Sequence, residues 1–122
     1  MISVLIVDDS RTSRRILKDI IERAGYKIAG EAINGKEGVE MYSRLLPDIV
    51  TMDITMPEMD GIEALSLIKK DYPDARVVMI TAAGQKEKML EAVKLGAIEF
   101  VAKPFVEESV IEALEHCVKE MN

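Results

Sequence analysis

A single cysteine and a single histidine in 122 residues exclude two ways of holding a small chain together. Cys117 has no partner for an intramolecular disulfide, and with His116 beside it there is no Cys/His set for a structural zinc. Both read as ordinary residues of a C-terminal helix. Long apolar runs are missing too. The longest, Val4 to Val7 and Val77 to Ile80, fall far short of the roughly 20 residues a membrane helix needs, and no signal-peptide pattern opens the sequence. The expectation is a soluble, cytoplasmic protein with no membrane insertion. Clustered positive charge is lacking: the formal net charge is −6, and a nucleic-acid binder needs Lys and Arg massed against phosphates. The short group Arg11, Arg14, Arg15 and Lys18 has acids nearby and reads as a solvated helix face. No Pro, Gly, Ser or charged stretch is long enough for a linker. One domain over residues 1–122 is therefore expected.

What is present alternates. Val4 to Val7 is a β-branched run closed by Asp8-Asp9, after which Ile16, Leu17, Ile20, Ile21 and Ala24 recur at helical spacing until Gly25. Tyr26 to Ala32 reads as a second strand. Asn34-Gly35 turns the chain, and Val39, Tyr42 and Leu46 mark a helix ending before Pro47. A third strand over Ile49 to Met52 precedes a helix from near Gly61 to Lys70, and a fourth strand spans Arg76 to Thr81. Met89, Leu90 and Val93 define the next helix, Glu99 to Ala102 a fifth strand, and Val110, Leu114, Val118 and Met121 the last helix. Short apolar strands alternating with helices imply an α/β three-layer sandwich, a parallel sheet covered on both faces by right-handed crossovers.

Asp53 is the residue that needs explaining. It closes an apolar strand just before Met56-Pro57, and an unpaired buried carboxylate costs several kcal/mol or more. In an open parallel sheet every strand's C-terminal end arrives at one edge, where ligands bind. That rule gathers Asp8, Asp9, Asp53, Thr81 and Lys103. Carboxylates there repel by about 4 kcal/mol per pair at 4 Å and an effective dielectric near 20, which calls for Lys103 and a divalent cation. Oxygen ligands in an incomplete shell favour Mg²⁺, an ion that shares itself with phosphoryl groups. Each piece also has an ordinary reading: Asp8-Asp9-Ser10 as a helix cap, Asp53 as a cap for the following turn, Lys103-Pro104 as a turn. Convergence on one edge is what those separate readings do not predict.

With these pieces in order, the chain resembles, over essentially its whole length, the receiver domains of two-component response regulators, and among them the single-domain chemotaxis regulators of the CheY type. The matching residues are Asp8-Asp9, the Asp53 stretch with Pro57 and Gly61, Thr81-Ala82, and Lys103-Pro104-Phe105. The resemblance implies a flavodoxin-like sheet of order 2-1-3-4-5, the order shared by flavodoxin and CheY. It implies that Asp53 is the phosphoacceptor, that Asp8, Asp9, Asp53 and the Thr55 backbone carbonyl hold Mg²⁺, and that Thr81 and Lys103 contact the phosphoryl oxygens. Thr55 and Ala83 would flank the approach of the hydrolytic water. Phe100 stands where such regulators often carry a switching Tyr, so a paired Thr81 and Phe100 switch is expected. A histidine kinase would be the phosphodonor, and the face of the fourth helix, fifth strand and fifth helix the output surface. The implied protein is a signalling switch rather than an enzyme, working by protein contact, in chemotaxis or as a stand-alone receiver in another phosphorelay.

Two rivals come from other classes. A Mg²⁺-dependent phosphatase of the haloacid dehalogenase type also uses a strand-end Asp, but wants a second Asp two residues on, where this chain has Thr55. An FMN carrier would need its phosphate loop at Asp8-Asp9-Ser10-Arg11, whose carboxylates repel phosphate.

Overall fold

The structure, a computed structural model, describes residues 1–121. Five strands and five helices alternate: β1 (Ser3–Val7), α1 (Arg11–Arg23), β2 (Lys27–Ala32), α2 (Gly35–Leu45), β3 (Ile49–Asp53), α3 (Gly61–Asp71), β4 (Val77–Thr81), α4 (Lys86–Lys94), β5 (Glu99–Ala102) and α5 (Glu107–Glu120). The sheet is parallel throughout, in the order β2-β1-β3-β4-β5. Fold class and strand order are as the sequence led us to expect. The spans differ only at their ends, most usefully at β3, which takes in Asp53 itself.

Burial explains which strand lies where. The central strands β3 and β4 are buried at every position, and β1 at all but Ser3, because helices cover both faces. Lys27 and Glu31 on β2 are exposed, as suits an edge strand paired on one side only. Alternation sends Leu5, Val50, Met52, Val77 and Met79 into the layer under α2, α3 and α4, and Val4, Ile6, Ile49, Val78 and Ile80 into the layer under α1 and α5. Each fully buried aliphatic side chain contributes about 1.5–3 kcal/mol relative to exposure. In α1, Leu17, Ile20 and Ile21 form the buried stripe at helical spacing, while Ile16 is left half exposed.

α4 departs from the sequence reading. Its apolar residues Leu90 and Val93 are 56% and 55% exposed, and the one buried residue of the helix is Ala92. A small side chain lets a nine-residue helix lie close to its neighbours, and that turns the larger residues outward.

Candidate functional site

The site is built where the strand ladders stop. β1 continues its pairing one residue past its end, Asp8 N–H donating to Ala32 O at 3.0 Å, and β5 does the same through Lys103 N–H to Thr81 O at 2.8 Å. These bonds fix Asp8 and Lys103 on either side of Asp53. At the end of β3, Ile54 N–H donates to Ile80 O, and the chain then loops back so that Gly61 N–H reaches Ile54 O at 2.7 Å. Only glycine fits at that closure, since a Cβ on Gly61 would overlap the backbone oxygen of Asp53. The residue that caps α3 is Asp60, whose Oδ1 accepts from Glu63 N–H at 2.9 Å. Asp53 is not spent as a cap.

Carboxylate oxygens of Asp8, Asp9 and Asp53 lie within 4.8 Å of one another. Asp8 and Asp53 are buried and Asp9 is exposed. Lys103 Nζ stands 3.0 Å from Asp8 Oδ2 and donates to Asp53 Oδ2 at 3.3 Å. The approach to Asp8 is an ion pair without hydrogen-bond alignment, so Asp8 Oδ2 is a buried oxygen with no directed donor. Asp8 Oδ1, by contrast, accepts from Ser10 N–H at 2.8 Å. Ser10 then caps α1, its hydroxyl accepting from Ser13 N–H. The Asp8-Asp9-Ser10 segment thus divides its labour, with the cap carried by Ser10.

Burial, reinforced by the negative charge of Asp8, pushes the Asp53 carboxyl up to about 6 against the pull of Lys103. Burial works to lower Lys103, but its close pairing with the Asp8 and Asp53 carboxylates outweighs it, and the ammonium is held above its usual range. One cation therefore serves two buried acids, and the cluster that Asp9 completes keeps a net negative charge. An all-oxygen donor set with a buried oxygen lacking a directed donor fits a hard divalent cation of the Mg²⁺ kind.

The other expected residues are placed as follows. Thr81 is buried at the end of β4. Alternation along β4 puts it on the same face as Met79, which pairs with Phe100 of β5. Phe100 is half-buried and packs against the layer under α2 to α4. Thr55 is exposed, and its hydroxyl accepts from Gln85 Nε2 at 2.6 Å. Met56 joins the core, and Met59 packs at its margin.

Two participants escaped the sequence reading. Arg14 is not part of a solvated face: its side chain is 15% exposed, it pairs with Glu31 at 3.3 Å, and its Nη1 donates to the Asp8 backbone oxygen at 2.8 Å. Nothing local in sequence relates Arg14 to Asp8. Gln85 is the second. Glutamine in a loop carries no periodicity, and its partners are decided by where the ladder ends. Away from the site, Cys117 is fully buried, which pushes its thiol up to about 11. His116 Nδ1 lies 2.6 Å from Glu99 Oε2, joining α5 to β5.

Five parallel strands in this order, with acids and a lysine gathered at their C-terminal ends, define a class. Residues 4–115 match the response regulator receiver domain, and the chain belongs to that family. Among individual relatives it is 54% identical over 116 residues to the chemotaxis protein CheY of Thermotoga maritima, covering 95% of this chain and 97% of that one. To the chemotaxis protein CheY of Halobacterium salinarum it is 50% identical over 111 residues, covering 91% and 92%. Among solved structures, a response regulator receiver domain protein of Clostridium thermocellum superposes with a TM-score of 0.93 at 26% identity, over 99% of this chain and 97% of that one. A chain of the CheX-CheY-BeF3-Mg²⁺ complex of Borrelia burgdorferi superposes at 0.88 with 36% identity, over 99% and 90%. No helix among the described residues is long and apolar enough to cross a membrane.

Proposed function

We propose that this chain is a phosphorylation-activated switch of a chemotactic two-component system, one receiver unit over residues 1–122 that works in the cytoplasm. The observation that carries the reading is Asp53: a buried carboxylate at the end of the central strand, 3.3 Å from Lys103 and held at a pKa of about 6. Such a group is ionised at neutral pH yet more basic than an ordinary carboxylate, which suits a nucleophile. One Asp53 oxygen forms a bond to phosphorus as the P–N bond of a kinase phosphohistidine breaks and the imidazole leaves. Lys103 neutralises charge on the transferring group, and the Thr81 hydroxyl donates to a phosphoryl oxygen once it arrives. Asp8, Asp9, Asp53 and the Thr55 backbone carbonyl are the residues that would hold Mg²⁺, which when bound supplies further charge neutralisation at the phosphoryl oxygens. Later attack by water on the same phosphorus returns the carboxylate.

Output follows from shape rather than from chemistry on a substrate. Thr81 and Phe100 share one face of the sheet, so movement of the threonine toward a phosphoryl group opens room for the ring to turn inward. The surface this would alter is made by α4, β5 and α5, where Leu90, Val93 and Val106 are already exposed. That apolar face suits a protein target. Names of the relatives favour chemotaxis over other phosphorelays.

The experiment is labelling with acetyl phosphate. One hydroxylamine-labile phosphoryl group should appear on the wild-type chain and none on Asp53→Asn. Equal labelling of the two proteins would refute the assignment.

A further inference from the structure

Gln85 heads α4 yet bridges two loops with its side chain. The parallel pairing of Ile54 with β4, through Ile54 N–H to Ile80 O, calls for Ala82 N–H to donate next to Ile54 O. Gly61 N–H has taken that carbonyl, so the Ala82 amide is a donor left over at the end of the ladder. It lies immediately after Thr81, on the edge where Asp53 opens. Gln85 satisfies it: Oε1 accepts from Ala82 N–H at 2.7 Å while Nε2 donates to the Thr55 hydroxyl at 2.6 Å. Because a backbone N–H can only donate, the amide orientation is fixed. The side chain therefore spans from the loop after β4 to the loop after β3.

We propose that Gln85 is a removable clasp on the phosphoacceptor site, holding the Ala82 N–H and the Thr55 hydroxyl in the resting protein and giving up that N–H to the phosphoryl group when Asp53 is loaded. The inference rests on the reading of Asp53 as acceptor. A phosphoryl group brings acceptor oxygens to an edge where Ala82 offers the N–H that the ladder does not use, and a charged acceptor competes well against a neutral amide carbonyl. Release is easy. Ala82 and Thr55 are exposed, so water can replace either bond. An open groove lined by Thr55, Gly84, Gln85 and Lys88 gives the displaced side chain room. Gly84, at φ +82°, turns the chain just before it. Gln85 also heads α4 without capping it with its side chain, since its two polar atoms are both committed backward. Opening the clasp therefore loosens the start of α4 from the loop after β3, while the Lys88 to Asp60 pair at 3.5 Å and the packing of Met89 stay in place. By holding the site closed, Gln85 is a positioning residue that slows loading.

The test compares Gln85→Ala, which deletes both ties of the clasp, Thr55→Val, which deletes only the tie to the loop after β3, and the double variant; none removes a side-chain cap of α4, which has none. Amide hydrogen exchange in the unphosphorylated, metal-free protein should show Ala82 exchanging about tenfold faster in Gln85→Ala. Beryllofluoride with Mg²⁺ should bind about three- to tenfold more tightly, since a closed clasp reduces the binding-competent fraction. Acetyl phosphate labelling, in which an Asp53 Oδ–P bond forms as the donor P–O bond breaks and acetate leaves, should quicken by a similar factor. The double variant should match Gln85→Ala rather than add to it, because both changes delete one device. Unchanged Ala82 exchange, unchanged beryllofluoride affinity or additive effects, with Asp53→Asn refusing label, would overturn the clasp alone. Label on Asp53→Asn would overturn the acceptor reading and the clasp with it.

Discussion

The two edges of this sheet carry the same kinds of residue and use them in opposite ways. At the N-terminal edge, Asp48 Oδ2 accepts from the Ser3 backbone N–H at 2.8 Å, Lys69 donates to the Ala75 backbone oxygen at 3.0 Å, and Arg76 donates to the Glu120 backbone oxygen at 3.2 Å. Each of these charges has a backbone partner, although Arg76 Nε is itself buried without one. At the C-terminal edge Asp8, Asp9, Asp53 and Lys103 face one another, and a buried Asp8 oxygen has no directed donor. An open groove of about 450 Å³ lies at the N-terminal edge, lined by Lys69, Asp74 and Arg76 among others, yet its lysine and arginine already serve main-chain carbonyls. The presence of a hollow does not by itself mark the chemistry here. Unmet charge does.

If that contrast is right, removing a carboxylate should have opposite signs at the two edges. The largest effect is expected from Asp53→Asn in the absence of metal. The Asp53 pKa is raised from 3.8 to about 6, so between those values the native state holds more protons than the unfolded state and stability falls as pH rises. The loss is complete above about pH 7 and amounts to about 3 kcal/mol for a shift of roughly two units. Asp53→Asn should therefore be more stable than wild type by up to that amount at pH 7.5 in EDTA. Near pH 4 the advantage should vanish. Urea titrations at the two pH values check it, and an Asn variant no more stable at pH 7.5 would break the contrast.

Asp48→Ala at the other edge should destabilise by about 2 kcal/mol, because the Ser3 N–H and hydroxyl lose a charged acceptor. The same titration at pH 7.5 reads it. A stabilised Asp48→Ala would mean that the N-terminal edge is strained as well.

Metal sharpens the comparison from the ligand side. Mg²⁺ at roughly ten times its dissociation constant should stabilise wild type by about 1.4 kcal/mol. Asp9→Ala, which deletes an exposed member of the acid cluster, should weaken that response. Indifference of the wild-type melting temperature to Mg²⁺ would count against a metal site at the C-terminal edge.

Much of this was legible from residue order. The strand-end rule collected Asp8, Asp9, Asp53, Thr81 and Lys103 because a parallel sheet sends all its C-terminal ends to one edge, whatever the separation in sequence. Strand order was not in the periodicity, which says that strands alternate with helices and not which strands are neighbours. It came from the resemblance. Helix faces were read well where bulk decides, as for Leu17, Ile20 and Ile21, and only in part in α4, where Met89 packs at the margin of the core beside buried Ala92 while Leu90 and Val93 point away. Arg14 and Gln85 were out of reach for a different reason. Their partners are backbone atoms, the Asp8 oxygen and the Ala82 N–H, made available by how ladders and loops end rather than by any side-chain pattern.

The smallest effect tests whether unmet polarity by itself marks function. Thr51 lies two residues before Asp53 on β3, on the same face by alternation, and its buried hydroxyl has no hydrogen-bond partner among the described residues. Its neighbours in register are Ile6 on β1 and Val78 on β4, both in the apolar layer under α1 and α5. Asp53 sits at the mouth, where a cation, a phosphoryl group or water can reach it, whereas Thr51 is sealed one pleat deeper. An unsatisfied hydroxyl in such a place costs about 1 kcal/mol or more, and a methyl of similar size removes the cost. Thr51→Val should raise the urea midpoint by about half a molar with no change in slope. Labelling of Asp53 should be untouched. A destabilised Thr51→Val would show that the hydroxyl is satisfied in solution, by a buried water for example. A stabilised variant that labels more slowly would tie Thr51 to the site, and the line between structural and functional polarity would then have to be drawn lower on this strand.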